Sequence, residues 1–205
     1  MAGAVIAVAG MNLFMPTTYQ ITEVGHLLYP GLMLVLLLIL LVGELGRADG
    51  ERRWSRVLSG VLIGVITLVA LASAARVLLV ILTDPEAIVS VELLRVAVVL
   101  WLTVNIAFAL WYSYLDCGGP TMRARGGTDL RPAFIFPEYG LDRWGYTDWY
   151  PQFPDYLVLS FNASMALGPS DVSAVRHWAK FSMLIQALFS LCMLYIVLTQ
   201  AISTL

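Results

Sequence analysis

Four stretches of this chain are long and apolar enough to be read as membrane-crossing helices. A helix needs about 20 apolar residues to cross the hydrocarbon core of a bilayer. Because backbone polar groups cannot be left unpaired in lipid, each stretch is predicted to be a helix and not a strand. The predicted spans cover residues 27–43, 57–82, 88–115 and 175–205.

The composition indicates a membrane protein as well. Hydrophobic residues make up 60% of the 205 residues and charged residues only 13%, whereas soluble domains carry roughly 45 to 50% and about 25%. The formal net charge of -2 provides no basic surface for a nucleic-acid partner. We therefore predict an all-α polytopic membrane bundle whose partner is the lipid bilayer.

Two shorter apolar segments complete the predicted bundle. Residues 1–15 lack the basic residues of a secretory signal and are too short for a clear span, so they are predicted to form a short apolar helix that is interfacial or enters only half of the membrane. A second short helix is predicted at 154–166, because Pro154 and Asp155 suit a helix start and a Gly-Pro pair follows the segment. At about 1.5 Å per residue it would be roughly 20 Å long. We predict that this helix is re-entrant or interfacial.

The distribution of arginine predicts the orientation. Residues 1–115 form an amino-terminal membrane region with three spans, and residues 116–205 hold an extramembrane loop, rich in Gly, Pro and charge over 116–140, followed by the short helix and the last span. Arginines lie in the loops after the first and third spans, while the link at 83–87 has no Lys or Arg. Basic loops favour the cytoplasmic side. A multi-pass protein of the cell membrane with both Arg-bearing loops in the cytoplasm is expected.

Three ionisable residues lie near the link between the second and third predicted spans, and each is expected to have a partner because charge within a membrane span is costly. Arg76 and Glu92 flank that link at similar depth, and Arg95 lies three residues beyond Glu92 on the same helix face. We predict that they form an ion pair that pins the second and third spans together. Their spacing does not give the repeated arginines of a voltage sensor.

Two amides lie deep in the predicted spans at matching depths, Asn105 in the third and Gln186 in the last. Interhelical amide hydrogen bonds stabilise membrane bundles by roughly 0.6 to 2 kcal/mol each. A structural role and a pore-lining role both stay open. Hydrolase and nucleotide motifs are absent, and no metal-ligand spacing stands out, so no enzyme, cofactor or metal site is predicted.

Two runs of sequence resemble a known family. FALWYSYLDCGGP begins at Phe108, and DYLVLSFNASMALGPSD leads into RHWAK at the last span. Together they resemble a family of bacterial integral membrane proteins that has no assigned activity. The likeness covers roughly the carboxyl-terminal half and implies a membrane fold.

More distantly, the third span, the short helix, the turn after it and the last span resemble the pore module of potassium-channel-type proteins. Where such channels read Thr-Val-Gly-Tyr-Gly-Asp, this chain departs at the Thr, the Tyr and the second Gly, and a proline restricts the backbone. The filter-like turn comprises Ala166, Leu167, Gly168, Pro169, Ser170 and Asp171.

These features support two hypotheses of function. The carboxyl end of a half-membrane helix carries a partial negative charge that favours a cation, and Asp171 would concentrate cations at a mouth. Because one chain of four spans encloses no conduit, the leading hypothesis is a homo-oligomeric, channel-like pore for small cations. The alternative is a non-conducting membrane scaffold or partner-binding subunit with a pore-like fold.

Overall fold

The computed structural model describes residues 2–13, 31–32, 34–35, 37–38, 52–83, 90–123, 131–140, 149–165 and 171–203. These residues are mostly helical, and two strands of two residues each pair antiparallel. In chain order the elements are α1 (Ala2–Leu13), α2 (Arg52–Thr83), α3 (Ser90–Leu115), α4 (Pro120–Arg123), β1 (Phe134–Ile135), α5 (Phe153–Met165), β2 (Ser173–Ala174) and α6 (His177–Ser203), with 3-10 turns at Asp116–Gly118 and Pro137–Gly140.

Three of the described helices are long and apolar enough to cross a membrane, which fits the predicted membrane protein. The candidate segments are Arg56–Val80 in α2, Glu92–Gly118 from α3 into the following turn, and His177–Tyr195 in α6. The first predicted span, 27–43, lies mostly outside the described residues. A count of four spans is therefore a prediction, whereas the described part of the chain has three helices that are long and apolar enough to cross a membrane.

The surface of α2 shows the property expected of a helix in lipid. Leu62 and Ile63 are fully buried, yet the outward side chains of Val61 and Leu68 are also apolar. A surface helix of a soluble protein would present charged or polar residues on that outer face. An apolar outer face is stable where the solvent is hydrocarbon.

Contacts within the chain divide it into two compact units. Unit 1 comprises Met1–Ala107 and Met193–Leu205, and unit 2 comprises Phe108–Cys192. The core of unit 2 is rich in aromatic side chains and draws on α3, α5, α6 and the segment around β1. Its fully buried members are Ala109, Tyr112, Ala133, Phe134, Phe136, Tyr156, Leu159 and Ala179.

The end of α3 is set by an Asp-Cys-Gly-Gly turn. Cys117, Gly118 and Gly119 have φ values of 47°, 74° and 96°, in the region that glycine adopts most readily. At Gly119 a Cβ atom would also lie 3.2 Å from the carbonyl oxygen of Tyr114. The glycine pair thus allows the chain to turn back sharply, and Pro120 then begins α4, as proline does at a first helical position.

The short helix α5 covers Phe153–Met165, within one residue of the predicted range 154–166. At its start the Asp155 carboxylate accepts a hydrogen bond from the backbone N–H of Gln152 at 2.7 Å, which satisfies one of the donors that helix starts leave unpaired. At its buried face lie Tyr156, Leu159, Ser160 and Ser164. This face places three hydroxyl groups, one helical turn apart, inside unit 2.

The segment 131–140, predicted to belong to an extramembrane loop, forms part of the core of unit 2. Phe134 and Phe136 are buried while Ile135 between them is exposed, the alternation of a strand with one buried face. Phe134 pairs with Ala174 and Ile135 with Ser173. The backbone N–H of Val175 extends this pairing with a 2.8 Å bond to the carbonyl of Ala133.

Candidate functional site

The carboxylate of Asp116 is the centre of a buried polar network in unit 2. The side chain is fully buried. Its Oδ2 accepts a 2.6 Å hydrogen bond from the hydroxyl of Tyr156, and its Oδ1 accepts a 2.7 Å bond from the backbone N–H of Ala133. The thiol of Cys117 lies 3.6 Å from Oδ1 as a weak third donor. All three contacts are hydrogen-bond donors, so both oxygens of the carboxylate have a partner.

Arg123 supplies the positive charge of this network, and it is only 7% exposed. Its Nη1 donates to the carbonyls of Ser113 and Asp116, each at 2.8 Å. Nη2 donates to the Ser113 hydroxyl at 3.0 Å, and Nε to the carbonyl of Pro151 at 3.2 Å. The planar guanidinium thereby ties the end of α3 to the chain just before α5.

Tyr156 contacts both Asp116 and Arg123. Its ring lies 4.8 Å from the guanidinium carbon of Arg123, within the distance of a cation–π contact, while its hydroxyl binds Asp116. Burial, reinforced by the negative charge of Asp116, raises the pKa of Tyr156. The phenol therefore keeps its proton and acts as a donor to the carboxylate. Edge-on contacts with Phe134 and Phe136 fix the ring.

A second buried network is centred on Gln186 of α6. The Gln186 Oε1 accepts a 2.7 Å hydrogen bond from the Tyr112 hydroxyl of α3. Its Nε2 lies 2.8 Å from the Ser160 carbonyl, 2.6 Å from the Ser160 hydroxyl and 2.8 Å from the Ser164 hydroxyl, all on α5. A single amide side chain thus connects three helices of unit 2.

Phe134 separates the two networks. Its ring centroid lies 5.1 Å from that of Tyr112 and 6.2 Å from that of Tyr156. Each tyrosine places its hydroxyl in a different network, Tyr112 with Gln186 and Tyr156 with Asp116. The aromatic core therefore holds two polar centres that are individually bonded, an arrangement that fixes the position of α5 within unit 2.

The structure does not bring the predicted site residues together in one site among the described residues. Residues 166–170 of the filter-like turn lie outside the described residues, and Asp171 is exposed. Asn105 is fully buried in unit 1, where its amide donates to the carbonyl of Trp101 at 2.8 Å, whereas Gln186 belongs to unit 2. The ion pair expected between the second and third spans stays a prediction. The side chains of its members, Arg76, Glu92 and Arg95, are exposed.

The network of Asp116, Arg123 and Tyr156 was missed by the sequence analysis. Asp116 and Arg123 lie in a segment whose Gly, Pro and charge content indicates a loop, and Tyr156 lies in the predicted short helix, where nothing in the sequence points to a partner. A usable signal was the aspartate placed directly after the apolar run of α3, because an acidic residue at the end of a span requires a donor. Among the residues that the structure covers, no group of three or more His, Cys, Asp or Glu is placed to hold a metal ion.

Comparison with protein-family models, with curated proteins and with solved structures finds no significant match for this chain. The resemblance to a bacterial membrane family and to channel pore modules therefore stays a prediction.

Replacing Gln186 by leucine is expected to lower the free energy of unfolding by about 1 to 3 kcal/mol, because the buried Tyr112 hydroxyl and Ser160 carbonyl lose a partner. Unfolding of the purified protein in mixed micelles, followed by circular dichroism during titration with SDS, measures the change. The matched control is Asn162→Leu, which removes an exposed amide of α5. Equal stability of the two variants would contradict a structural role for Gln186.

Proposed function

We propose that this chain is an integral membrane protein that serves as a non-conducting scaffold or partner-binding subunit. The proposal rests on the burial and hydrogen bonding of Gln186. This side chain is fully buried and hydrogen-bonded to Tyr112, Ser160 and Ser164. A polar group that lines an aqueous conduit has to face it. Here the amide of the last span and the hydroxyls of α5 are bonded to one another inside the chain.

The outer surface of α6 supports the same proposal. Every exposed residue from Phe181 to Tyr195 is hydrophobic. Tyr195, at the end of this stretch, is its one exposed side chain with a hydroxyl group. An axis lined by this face would therefore offer few of the carbonyl, charged or hydroxyl groups that replace the hydration shell of an ion. A surface of this kind suits contact with lipid chains or with the apolar helix of another membrane protein.

A cation pore is the second candidate, and one observation favours it. Asp171, the residue that would concentrate cations at a mouth, is exposed in unit 2. Residues 166–170 carry the rest of that hypothesis and lie outside the described part of the chain. The two candidates make opposite predictions for conductance.

Purified protein inserted in planar bilayers is expected to carry no unitary currents in gradients of Na⁺ or K⁺, because the exposed side chains of α6 from Phe181 to Tyr195 include no charged or amide group. Gramicidin added afterwards to the same bilayer provides the positive control. Asp171→Asn should leave the record silent. Currents in the unmodified protein that decrease in Asp171→Asn would overturn the scaffold proposal in favour of the pore, and chemical crosslinking would then give the number of copies.

A further inference from the structure

A cluster of basic side chains lies where α6 begins. Arg131, Arg176, His177 and Lys180 are all exposed in unit 2, and the segment of α6 that is long and apolar enough to cross a membrane starts at His177. With α6 crossing the membrane, as the proposed function has it, this end of the helix lies at the boundary between the hydrocarbon core and the headgroups.

Three of these residues are held close together by backbone geometry. The Arg176 Nη2 donates to the carbonyl of Arg131 at 2.9 Å, which places the two arginines side by side next to the β1–β2 pair. Lys180 follows Arg176 by one helical turn, and its backbone N–H donates to the Arg176 carbonyl at 3.2 Å. These contacts bring Arg131, Arg176 and Lys180 together at the start of α6, and all three are exposed.

This positive charge is not neutralised within the described part of the chain. No carboxylate there pairs with Arg131, Arg176 or Lys180. Asp116 is buried and bonded to Tyr156 and Ala133.

The surroundings of the cluster match a phospholipid better than a free anion. The rings of Trp178 and Phe134 pack edge-on with their centroids 5.8 Å apart, and this contact anchors the first turn of α6. Tryptophan is enriched at the level of the headgroups. The exposed residues that follow Lys180 along α6 are apolar, namely Phe181, Leu184, Ile185 and Leu188. A cationic surface that continues into an apolar one fits a phosphate with acyl chains attached.

We propose that Arg131, Arg176 and Lys180 form a binding site for the phosphate of an anionic phospholipid headgroup, with the acyl chains lying along the apolar face of α6. The remaining guanidinium donors of Arg176 and the ammonium group of Lys180 bind the phosphate oxygens, and Arg131 adds charge beside them. The inference rests on the membrane placement in the proposed function and does not depend on whether the chain conducts ions. Currents in planar bilayers would therefore contradict the scaffold proposal alone, and a lack of preference for an anionic lipid would contradict the binding site alone.

The test uses the full chain in neutral detergent micelles, titrated with phosphatidylglycerol, phosphatidylcholine or inorganic phosphate while binding is followed by microscale thermophoresis. Phosphatidylglycerol should bind about ten-fold more tightly than phosphatidylcholine. Lys180→Gln and Arg131→Gln should each weaken phosphatidylglycerol about five-fold, as expected for one basic residue near an anionic surface. Neither side chain makes a hydrogen bond among the described residues, so both variants are expected to fold.

Two control variants separate a site from a general charge effect. Arg95→Gln removes one exposed charge from unit 1 and should leave the affinity for phosphatidylglycerol unchanged, and Lys180→Arg should retain it. Equal affinity for the two lipids would overturn the proposal. So would a loss in Arg95→Gln as large as in Lys180→Gln, or binding of inorganic phosphate as tight as that of phosphatidylglycerol.

Discussion

Asp116→Ala is expected to lower the free energy of unfolding by about 2 to 6 kcal/mol, because two buried donors, the Tyr156 hydroxyl and the Ala133 N–H, each lose their acceptor at about 1 to 3 kcal/mol. Asp116→Asn should cost less. The amide oxygen still accepts from Ala133, and the tyrosine hydroxyl can rotate to accept from the amide nitrogen. Titration with SDS in mixed micelles measures both changes.

The matched control for the lost carboxylate is Asp171→Ala, since Asp171 is exposed. It should stay within about 0.5 kcal/mol of the unmodified protein, as surface substitutions usually do. Tyr156→Phe tests the same bond from the other side, because it deletes only the hydroxyl that reaches Asp116. If Asp116→Ala were no less stable than Asp171→Ala, the carboxylate would have no structural importance in unit 2.

Arg123→Ala is the second change for which a large effect is expected, a loss of about 3 to 5 kcal/mol, the range found when one member of a buried charged network is removed. The carbonyls of Ser113 and Pro151 lose their donor, and the ring of Tyr156 loses the cation beside it. Arg123→Lys should recover less than half of this loss. An ammonium group is a compact point charge and does not reproduce the planar fork of a guanidinium.

The comparison of lysine and alanine at this position separates charge from geometry. If positive charge alone mattered, Arg123→Lys would be nearly as stable as the unmodified protein, and the hydrogen bonds of the guanidinium would be irrelevant. Arg95→Lys, at an exposed position, provides the control and should have no measurable effect. The same titration with SDS ranks all three variants.

The three helices that are long and apolar enough to cross a membrane could be predicted because their determinants are local. The apolar residues of α2, α3 and α6 follow one another in sequence, so hydropathy alone locates them. The boundaries of α5 were predictable for a similar reason, since Pro154 and Asp155 favour a helix start and the Gly-Pro pair after it favours an end. Each of these signals acts within a few residues of the structure that it determines.

The candidate site could not be predicted, because its bonds join distant parts of the chain. Tyr156 reaches Asp116 across 40 positions, and Gln186 reaches Tyr112 across 74. Strands of two residues, such as β1 and β2, are too short to give a recognisable alternation. Without that pairing, Phe134 and Phe136 were read as part of a loop, and the core into which Asp116 and Arg123 fold was not visible in the sequence.

The acceptors of Arg123 have a consequence for how this protein can diverge. Three of its four hydrogen bonds end on main-chain carbonyls, at Ser113, Asp116 and Pro151, and every amino acid carries such a carbonyl. Neighbouring side chains are thus free to drift during evolution as long as the backbone path is kept. Homologous chains should retain arginine here even where residues 113 and 151 differ, which makes this position a marker for the fold.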